Sequence, residues 1–420
     1  MSPLASVVRS TRVQAYLKVD NNTPVALFHQ KFWGKSMEDE KAKWQETQIE
    51  SQPEDEDQDK HKAMEKGKGK AMDEGGDEVM NEGEGKPDED EGEATDQDDD
   101  ILPDCYVLDI SIDDMPTSLW IRAEYIRIFD CFQAHFDKYT KPEPKGKTPS
   151  AVLTGQPGIG ESQVSLHQHS TQACLQGKSF WIYYAARRLL AEKSPFIWFY
   201  QSEYYLFVDD GVYSLPPYWE HADFTSIIWT LVDSDQDRDG PPGTLVPHGT
   251  LLFVTWSRLD KTTRPIVVFM NPWGRKEIQR AACLSPLEGI TETHVDEIFD
   301  ELGPVARLCV DKEPNELARY RIELQEAITK ITTGDIKKLI DEASGLTMDA
   351  VSQKIFLLRR QQRDDIHSRA VVAPITDSIK SRLSNQFRHL QRAELVHLCQ
   401  FCEKGPGSMR IAGIFYDAIA

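Results

Sequence analysis

What the 420-residue sequence lacks narrows the field first. It has no run of about 18 apolar residues, which argues against a transmembrane helix. Its first twenty residues, MSPLASVVRSTRVQAYLKVD, lack the continuous apolar stretch of a secretory signal. Cysteine is scarce, at seven in the whole chain, so the expected state is reduced thiols and not a disulfide scaffold. These absences point to a soluble intracellular protein, cytoplasmic or nuclear, with no membrane partner. Large apolar residues are also nearly missing between Glu38 and Asp100, where 26 acids meet 8 bases. That segment holds −18 of the formal charge of −21, leaving −3 for the other 357 residues. A segment of this composition cannot offset its ordering entropy and is expected to be disordered, either a solvating spacer or an acidic arm for basic partners.

What remains is apolar enough for a substantial core. Residues 1–37 carry short mixed segments such as Val13–Val19 and Val25–Phe28, compatible with a hairpin or a partner-docking arm. Ile121, Tyr125, Ile128, Phe129, Phe132 and Phe136 recur at spacings of three and four, which predicts an amphipathic helix. Lys141–Lys147 reads as a breaker-rich loop. Strand-like runs follow at Ala151–Thr154, Phe196–Tyr200, Tyr204–Val208, Ile227–Val232, Leu251–Thr255 and Ile266–Met270, with helical patterns at Ser179–Glu192, Arg275–Ala282 and Val295–Glu301. Strands alternating with helices imply an α/β fold with a mainly parallel sheet covered on both faces. After Leu302 the pattern becomes mostly helical, with two short strands near Phe356–Leu358 and Ala370–Val372 and a helix over Ile375–Leu390. This second unit, 303–420, could include a winged-helix-like element.

The most informative stretch is Ala151-Val-Leu-Thr-Gly155-Gln156-Pro157-Gly158-Ile159-Gly160. A short apolar strand enters a glycine-rich turn, as a loop that wraps an anion in backbone N–H groups requires. The complete phosphate-loop pattern is G-x-x-x-x-G-K-[ST]. Gly155 and Gly160 have its spacing, but Glu161 stands where the lysine belongs and reverses the charge. Seventeen residues later Lys178-Ser179 opens a strong amphipathic helix, KSFWIYYAARRLL. Deleting Glu161–Gly177 would restore TGQPGIGKS and its helix, so the intervening ESQVSLHQHSTQACLQG reads as an insert, of a length that would also suit a translated short intron.

From about Trp120 onward the sequence resembles a family of fungal P-loop ATPase-like proteins related to crinkler effectors and retrotransposon hot spot proteins. The resembling stretches are TGQPGIG…KSFWIYYAARRLL, YYLFVDDGVYSLP, IIWTLVDSD, VVFMNPWGRKEI, LGPVAR and LTMDAVSQKIFLL. The resemblance implies a P-loop NTPase-like three-layer parallel sheet of AAA+ or STAND type, followed by a helical lid. It further implies ATP and Mg²⁺ as cofactors. Gly155, Gln156, Pro157, Gly158, Ile159, Gly160, Lys178 and Ser179 would then bind the nucleotide, and Ser179 and Asp233 the metal. Asp233, Asp235 and Arg307 would be the catalytic set, Asp235 orienting water and Arg307 reporting the outer phosphate. Two departures stand out. Ser234, not Glu, follows the metal-binding Asp, and the link from Leu251–Thr255 to Trp256-Ser-Arg258 is short where the family has a polar sensor segment. A nuclease-like domain of longer relatives is not expected here.

The resulting expectation is an ATP-binding regulatory module weakened by its interrupted loop. The alternative is a non-enzymatic interaction or effector-like scaffold that keeps an inactive NTPase fold. Other signals have plainer readings. Asp209-Asp210 before Gly211 reads as a tight turn. Cys399-Gln-Phe-Cys402 supplies half of a zinc site and fits helical side chains facing a core. His167 and His169 fall inside the suspected insert, and Asn271-Pro-Trp273 offers a turn with an aromatic anchor. Lys354–Arg392 holds nine bases and three acids, a surface of the sign nucleic acid requires, or an intramolecular partner for the acidic tract.

Overall fold

The computed structural model describes residues 3–9, 11–42, 105–140, 151–155, 178–216, 218–219, 223–232, 251–254, 266–285, 287, 289–342, 352–404 and 408–419. The fold is mixed α/β. Its central strands are continuous apolar runs, and β4 (Ala151–Gly155), β5 (Phe196–Tyr200) and β8 (Ile228–Val232) bury every residue. Burial on both faces is what such runs demand. β5 pairs in parallel with β8, and β8 with β9 (Leu251–Val254). β4 pairs in parallel with β10 (Ile266–Met270), and its other side lies along β9. β4 and β10 form their own two-stranded parallel sheet, and contact between β4 and β9 sets it beside the larger one.

The sheet is not parallel throughout. β6 (Glu203–Val208), β7 (Gly211–Ser214) and β1 (Leu17–Lys18) extend it antiparallel beyond β5. The Asp209-Asp210 turn joins β6 to β7, as its composition predicts. A separate antiparallel pair, β2 (Tyr106–Asp109) with β3 (Ser118–Ile121), leads into α4 (Ala123–Thr140). The helix predicted from the Ile121–Phe136 spacing is present from Ala123, but Ile121 itself ends β3. α5 (Lys178–Ala191) packs against β4, β5, β8 and α4. Between these helices and the sheet the Phe129 and Trp229 rings stack at 5.3 Å, and Phe132 meets Trp181 edge-on at 5.6 Å. Each such pair adds about 1 kcal/mol beyond its buried area.

The N-terminal residues form neither a free hairpin nor a loose arm. α1 (Pro3–Val7) buries Leu4 and Val7, and α2 (Pro24–Phe32) buries Val25, Phe28 and Phe32 against the sheet's core. Thr23 caps α2 by accepting the Ala26 N–H at 3.4 Å, ahead of a proline in the first turn. Residues 38–42, expected to belong to the acidic disordered segment, are helical (α3). A long-range contact ties this helix down: Glu40 bonds the fully buried Arg187 of α5 at 2.9 Å. The remainder of the acidic segment lies outside the described residues, as does the Lys141–Lys147 loop.

The C-terminal unit is built from α6 (Arg275–Ala281), α7 (Glu292–Leu302), α8 (Ala306–Val310), α9 (Pro314–Lys330), α10 (Thr333–Glu342) and α11 (Ser352–Ile355). The hairpin β11 (Phe356–Arg360) and β12 (Ala370–Pro374) follows, then α12 (Asp377–Phe387), α13 (Arg392–Lys404) and α14 (Met409–Ile419). Both short strands and the helix behind them are where the sequence predicts them. One apolar cluster runs through this unit and already includes Trp273, Ile278, Val295 and Ile298, so it starts before the pattern change at Leu302. Cys399 and Cys402 face this core from α13, where burial raises both thiols, Cys402 to about 12. Among the described residues no helix is long and apolar enough to cross a membrane.

Candidate functional site

The candidate site is the end of β4, the strand whose sequence continues into the glycine-rich stretch. In open α/β sheets, ligands bind outside the carboxyl ends of strands at the point where the strand order reverses. β4 pairs with β10 and touches β9, the strand that precedes β10 in the chain, so it is the strand at which such a reversal would fall. Gly155 closes β4, opposite Met270 in the register with β10. A Cβ on Gly155 would stand 2.9 Å from the Met270 carbonyl oxygen, so only glycine permits the two strand ends to approach this closely.

The start of α5 is tied to the same edge through a short relay. Trp181, in the first turn, donates from Nε1 to the Tyr125 carbonyl at 3.1 Å. The neighbouring Glu124 accepts at Oε1 from the Asn271 N–H at 2.9 Å, and Asn271 directly follows Met270. The relay links the first turn of α5, through the start of α4, to the end of β10, and the register links the end of β10 to Gly155. Gln156, Pro157, Gly158, Ile159 and Gly160 lie outside the described residues, as do the insert Glu161–Gly177 with His167 and His169. So do Asp233, Asp235 and Trp256–Arg258. Asp233 directly follows Val232, the last residue of β8. Arg307 lies half-buried on α8, which packs against α6 and α7, and α6 begins just beyond the Asn271 turn.

Sequence reasoning missed the polar network behind this edge. Arg122 donates from Nε and Nη2 to the two carboxylate oxygens of Glu277 at 2.7 and 3.0 Å. The same guanidinium donates to the Asn271 and Pro272 carbonyls at 3.1 Å and lies 4.6 Å over the Trp273 ring. Burial works against the charge of Arg122, but Glu277 outweighs it and holds the group above the ordinary arginine range. Beside it, Arg360 of β11 donates from Nη2 to both oxygens of Glu124 at 2.9 and 2.8 Å. The Arg360 N–H donates to Asn271 Oδ1 at 3.1 Å, and Asn271 Nδ2 donates to the Arg363 carbonyl at 2.9 Å.

Asn271 is thus the hub that joins the end of β10 to α4 and to the β11–β12 hairpin. It is 5% exposed, Glu124 4% and Arg360 1%. Arg360 Nε and Nη1 are buried without a hydrogen-bond partner, and burial lowers its proton affinity despite Glu124. The sequence did carry one signal for this network. Arg122 and Glu124 interrupt an apolar run, but periodicity alone assigns such charges to solvent. Asn271-Pro-Trp273 fulfils its structural reading as a turn with a buried aromatic, and the network adds a second role for its asparagine.

Of the basic residues in Lys354–Arg392, several are already neutralised. Lys354 pairs with Glu323 at 2.6 Å, Arg360 with Glu124, and Lys380 with Asp417 at 2.9 Å. Among the described residues no cluster of three or more His, Cys, Asp or Glu side chains could hold a metal ion. In comparisons with family models, with curated proteins and with solved structures, none matches this chain.

Proposed function

We propose that this chain is a nucleotide-binding module of P-loop type, handicapped by the 17 residues that separate its glycine turn from its lysine. The observation that supports the reading is that Gly155 ends a buried parallel strand and Lys178-Ser179 open a helix that packs against that strand. The two halves of the sequence motif are a strand end, Gly155, and a helix start, Lys178. The positive end of a 14-residue helix dipole would favour an anion at its first turn. The donor set matches a Mg²⁺–ATP complex: Lys178 for the phosphates, Ser179 and Asp233 for the metal, and the amides of the Gly155–Gly160 turn around the phosphate oxygens. Asp235 and Arg307 are the candidates for orienting water and for the outer phosphate. The likeness to crinkler-related and retrotransposon hot spot ATPases belongs to this proposal as well.

One observation favours the second reading, a binding scaffold without turnover. Glu161 follows Gly160 where a cation is needed, and a carboxylate there repels the phosphates. Both readings are separated by titrating the full chain, and a version lacking Glu161–Gly177, with a fluorescent ATP analogue and Mg²⁺. The expected result is binding at least tenfold tighter in the shortened chain, abolished by Lys178→Ala. Equal affinity in both chains, insensitive to Lys178→Ala, would overturn the phosphate-loop assignment. Binding restored without ATP turnover, unchanged by Asp233→Ala, would favour the scaffold.

A further inference from the structure

A cavity of about 330 Å³ opens between α2, β1 and the turn that joins β6 to β7. Its volume falls at the small end of the range for ligand sites. Phe207 of β6 pairs with Phe196, the first residue of β5, so the turn beyond Val208 lies past the amino end of β5. β5 and β8 run parallel, and Asp233 follows the other, carboxyl end of β8. The cavity is therefore at the opposite end of these strands from Asp233, and the groups that line it take no part in the proposed nucleotide site. Its lining includes His29, Gln30 and Trp33 of α2, Lys18 of β1, and Asp209 and Asp210 of the turn. His29 is 7% exposed and stacks on Trp33 with ring centroids 4.7 Å apart. Its Nε2 lies 2.8 Å from the Val208 carbonyl. A carbonyl only accepts, so Nε2 carries the proton and Nδ1 keeps its lone pair. Among the described residues that Nδ1 has no hydrogen-bond partner. Burial lowers the proton affinity of the ring, so at neutral pH Nδ1 remains an acceptor.

A tight turn uses Asp and Gly for their backbone, but here both carboxylates are also set in place by aromatic donors. Trp33 Nε1 donates to Asp209 Oδ1 at 2.8 Å, and the Tyr213 hydroxyl donates to Asp210 Oδ2 at 3.1 Å. Both donors are neutral, and among the described residues neither carboxylate is in an ion pair. Lys18 donates to the Asp210 backbone carbonyl at 2.5 Å and lies 6.0 Å over the Tyr213 ring. Gly211 holds φ +139°, and a Cβ there would stand 2.8 Å from Lys18 Cε, so glycine gives the lysine its seat. The lining thus sets two carboxylates and a buried lone-pair nitrogen against one ammonium that is already engaged. Such a set of acceptors selects a cation rich in donors. A guanidinium brings five N–H groups, no acceptor, a planar fork that fits carboxylates and a face that stacks on aromatic rings. An alkylammonium brings three donors and gives up a stronger hydration shell. The formal charge of −21 adds a general attraction for either cation.

We propose that this cavity binds a guanidinium group, held by Asp209, Asp210 and His29 Nδ1 beside the Trp33 ring. The group can come from a free guanidinium compound or from an arginine side chain of a partner. The full chain is titrated calorimetrically at about 0.15 M salt, which screens its general attraction for cations. The probes are Nα-acetylarginine amide, Nα-acetyllysine amide, and a short Gly-Ser peptide with one central arginine. Asp209→Asn with Asp210→Asn removes both charges and keeps the acceptors for Trp33 and Tyr213. Gln30→Arg, on the exposed side of α2, leaves the carboxylates in place and supplies a tethered guanidinium that fills the cavity. The expected result is saturable binding of one arginine probe per chain, at least threefold tighter than the lysine amide. It weakens at least tenfold in the Asn pair and in Gln30→Arg, each with a melting temperature no lower than that of the unsubstituted chain. Peptide binding as tight as that of the amide assigns the group to a partner, and exclusion of the peptide assigns it to a free compound. Absence of saturable binding, a lysine amide that binds as tightly, or undiminished affinity in either variant would overturn the proposal.

Discussion

Replacing Arg360 by methionine tests the polar hub behind the sheet edge. The Arg360 side chain is 0% and that of Glu124 5% exposed, so removal of the guanidinium strands a carboxylate in the interior. Glu124 would keep only the Asn271 N–H. Breaking a buried pair by deleting one partner costs about 3–5 kcal/mol. Arg360 already leaves Nε and Nη1 unpaired, which reduces what the native pair contributes, so the expected loss for Arg360→Met is near the lower end, about 3 kcal/mol. Glu124→Gln alone should cost at least as much, since it leaves a buried cation without its anion. Combining the two changes should recover most of the loss, because Met fills the arginine stem's volume and Gln still accepts from Asn271. Urea unfolding followed by tryptophan fluorescence and by far-UV circular dichroism measures the cycle, provided that the two transitions coincide. Losses of less than about 1 kcal/mol in both single variants, the range of exposed pairs, would refute the buried hub.

Two further outcomes follow from local geometry. Gly303 closes α7 at φ +92°, and a Cβ there would stand 1.9 Å from Ile375 Cγ2, so Gly303→Ala should lower stability by about 3 kcal/mol, read by the same unfolding assay. His29 is buried against Trp33, bonds the Val208 carbonyl at 2.8 Å, and has its pKa lowered from 6.5 by burial. Below pH 6.5 the unfolded chain takes up a proton that the native His29 resists, so this contribution is complete above 6.5 and is lost as pH falls through the folded value. His135 shifts in the same direction, so His29→Gln should reduce, without abolishing, the fall in melting temperature between pH 7.5 and 5.

The helices and central strands were legible because burial on one or two faces imposes a period or an unbroken apolar run, and both survive in one dimension. Ala151–Gly155, Phe196–Tyr200 and Ile266–Met270 fall where the sequence places them, to within a residue. The strand order was not legible, since nothing in an apolar run says which neighbour it pairs with. Gly211–Ser214 was overlooked because four residues carry too short a pattern. Arg122, Glu124 and Arg360 escaped for a different reason: a charge becomes acceptable in a core only when its partner arrives from far along the chain. Arg360 lies 236 residues from Glu124. The N-terminal helices hid likewise, their apolar residues too few to announce a core that they share with β5 and α5.

The acidic tract enters and leaves the fold at neighbouring points. Lys41 Nζ lies 5.7 Å over the Tyr106 ring, and Glu40 reaches Arg187, whose charge also acts on Tyr106. The described residues on either side of 43–104 are therefore held close together by packing. Loop-closure entropy changes by only about 0.6 kcal/mol per doubling of length. Replacing these 62 residues by eight of Gly and Ser is close to three halvings, a gain of about 2 kcal/mol. Eight residues also reach about 26 Å, ample for ends anchored this closely. Removing most of the negative charge adds to the gain by relieving self-repulsion. The shortened chain should unfold at a higher urea concentration than the full one, with unchanged far-UV signal per folded residue. A lower midpoint, or loss of the cooperative transition, would mean that the tract contributes packing and that the anchored ends are not what hold this side of α5 in place.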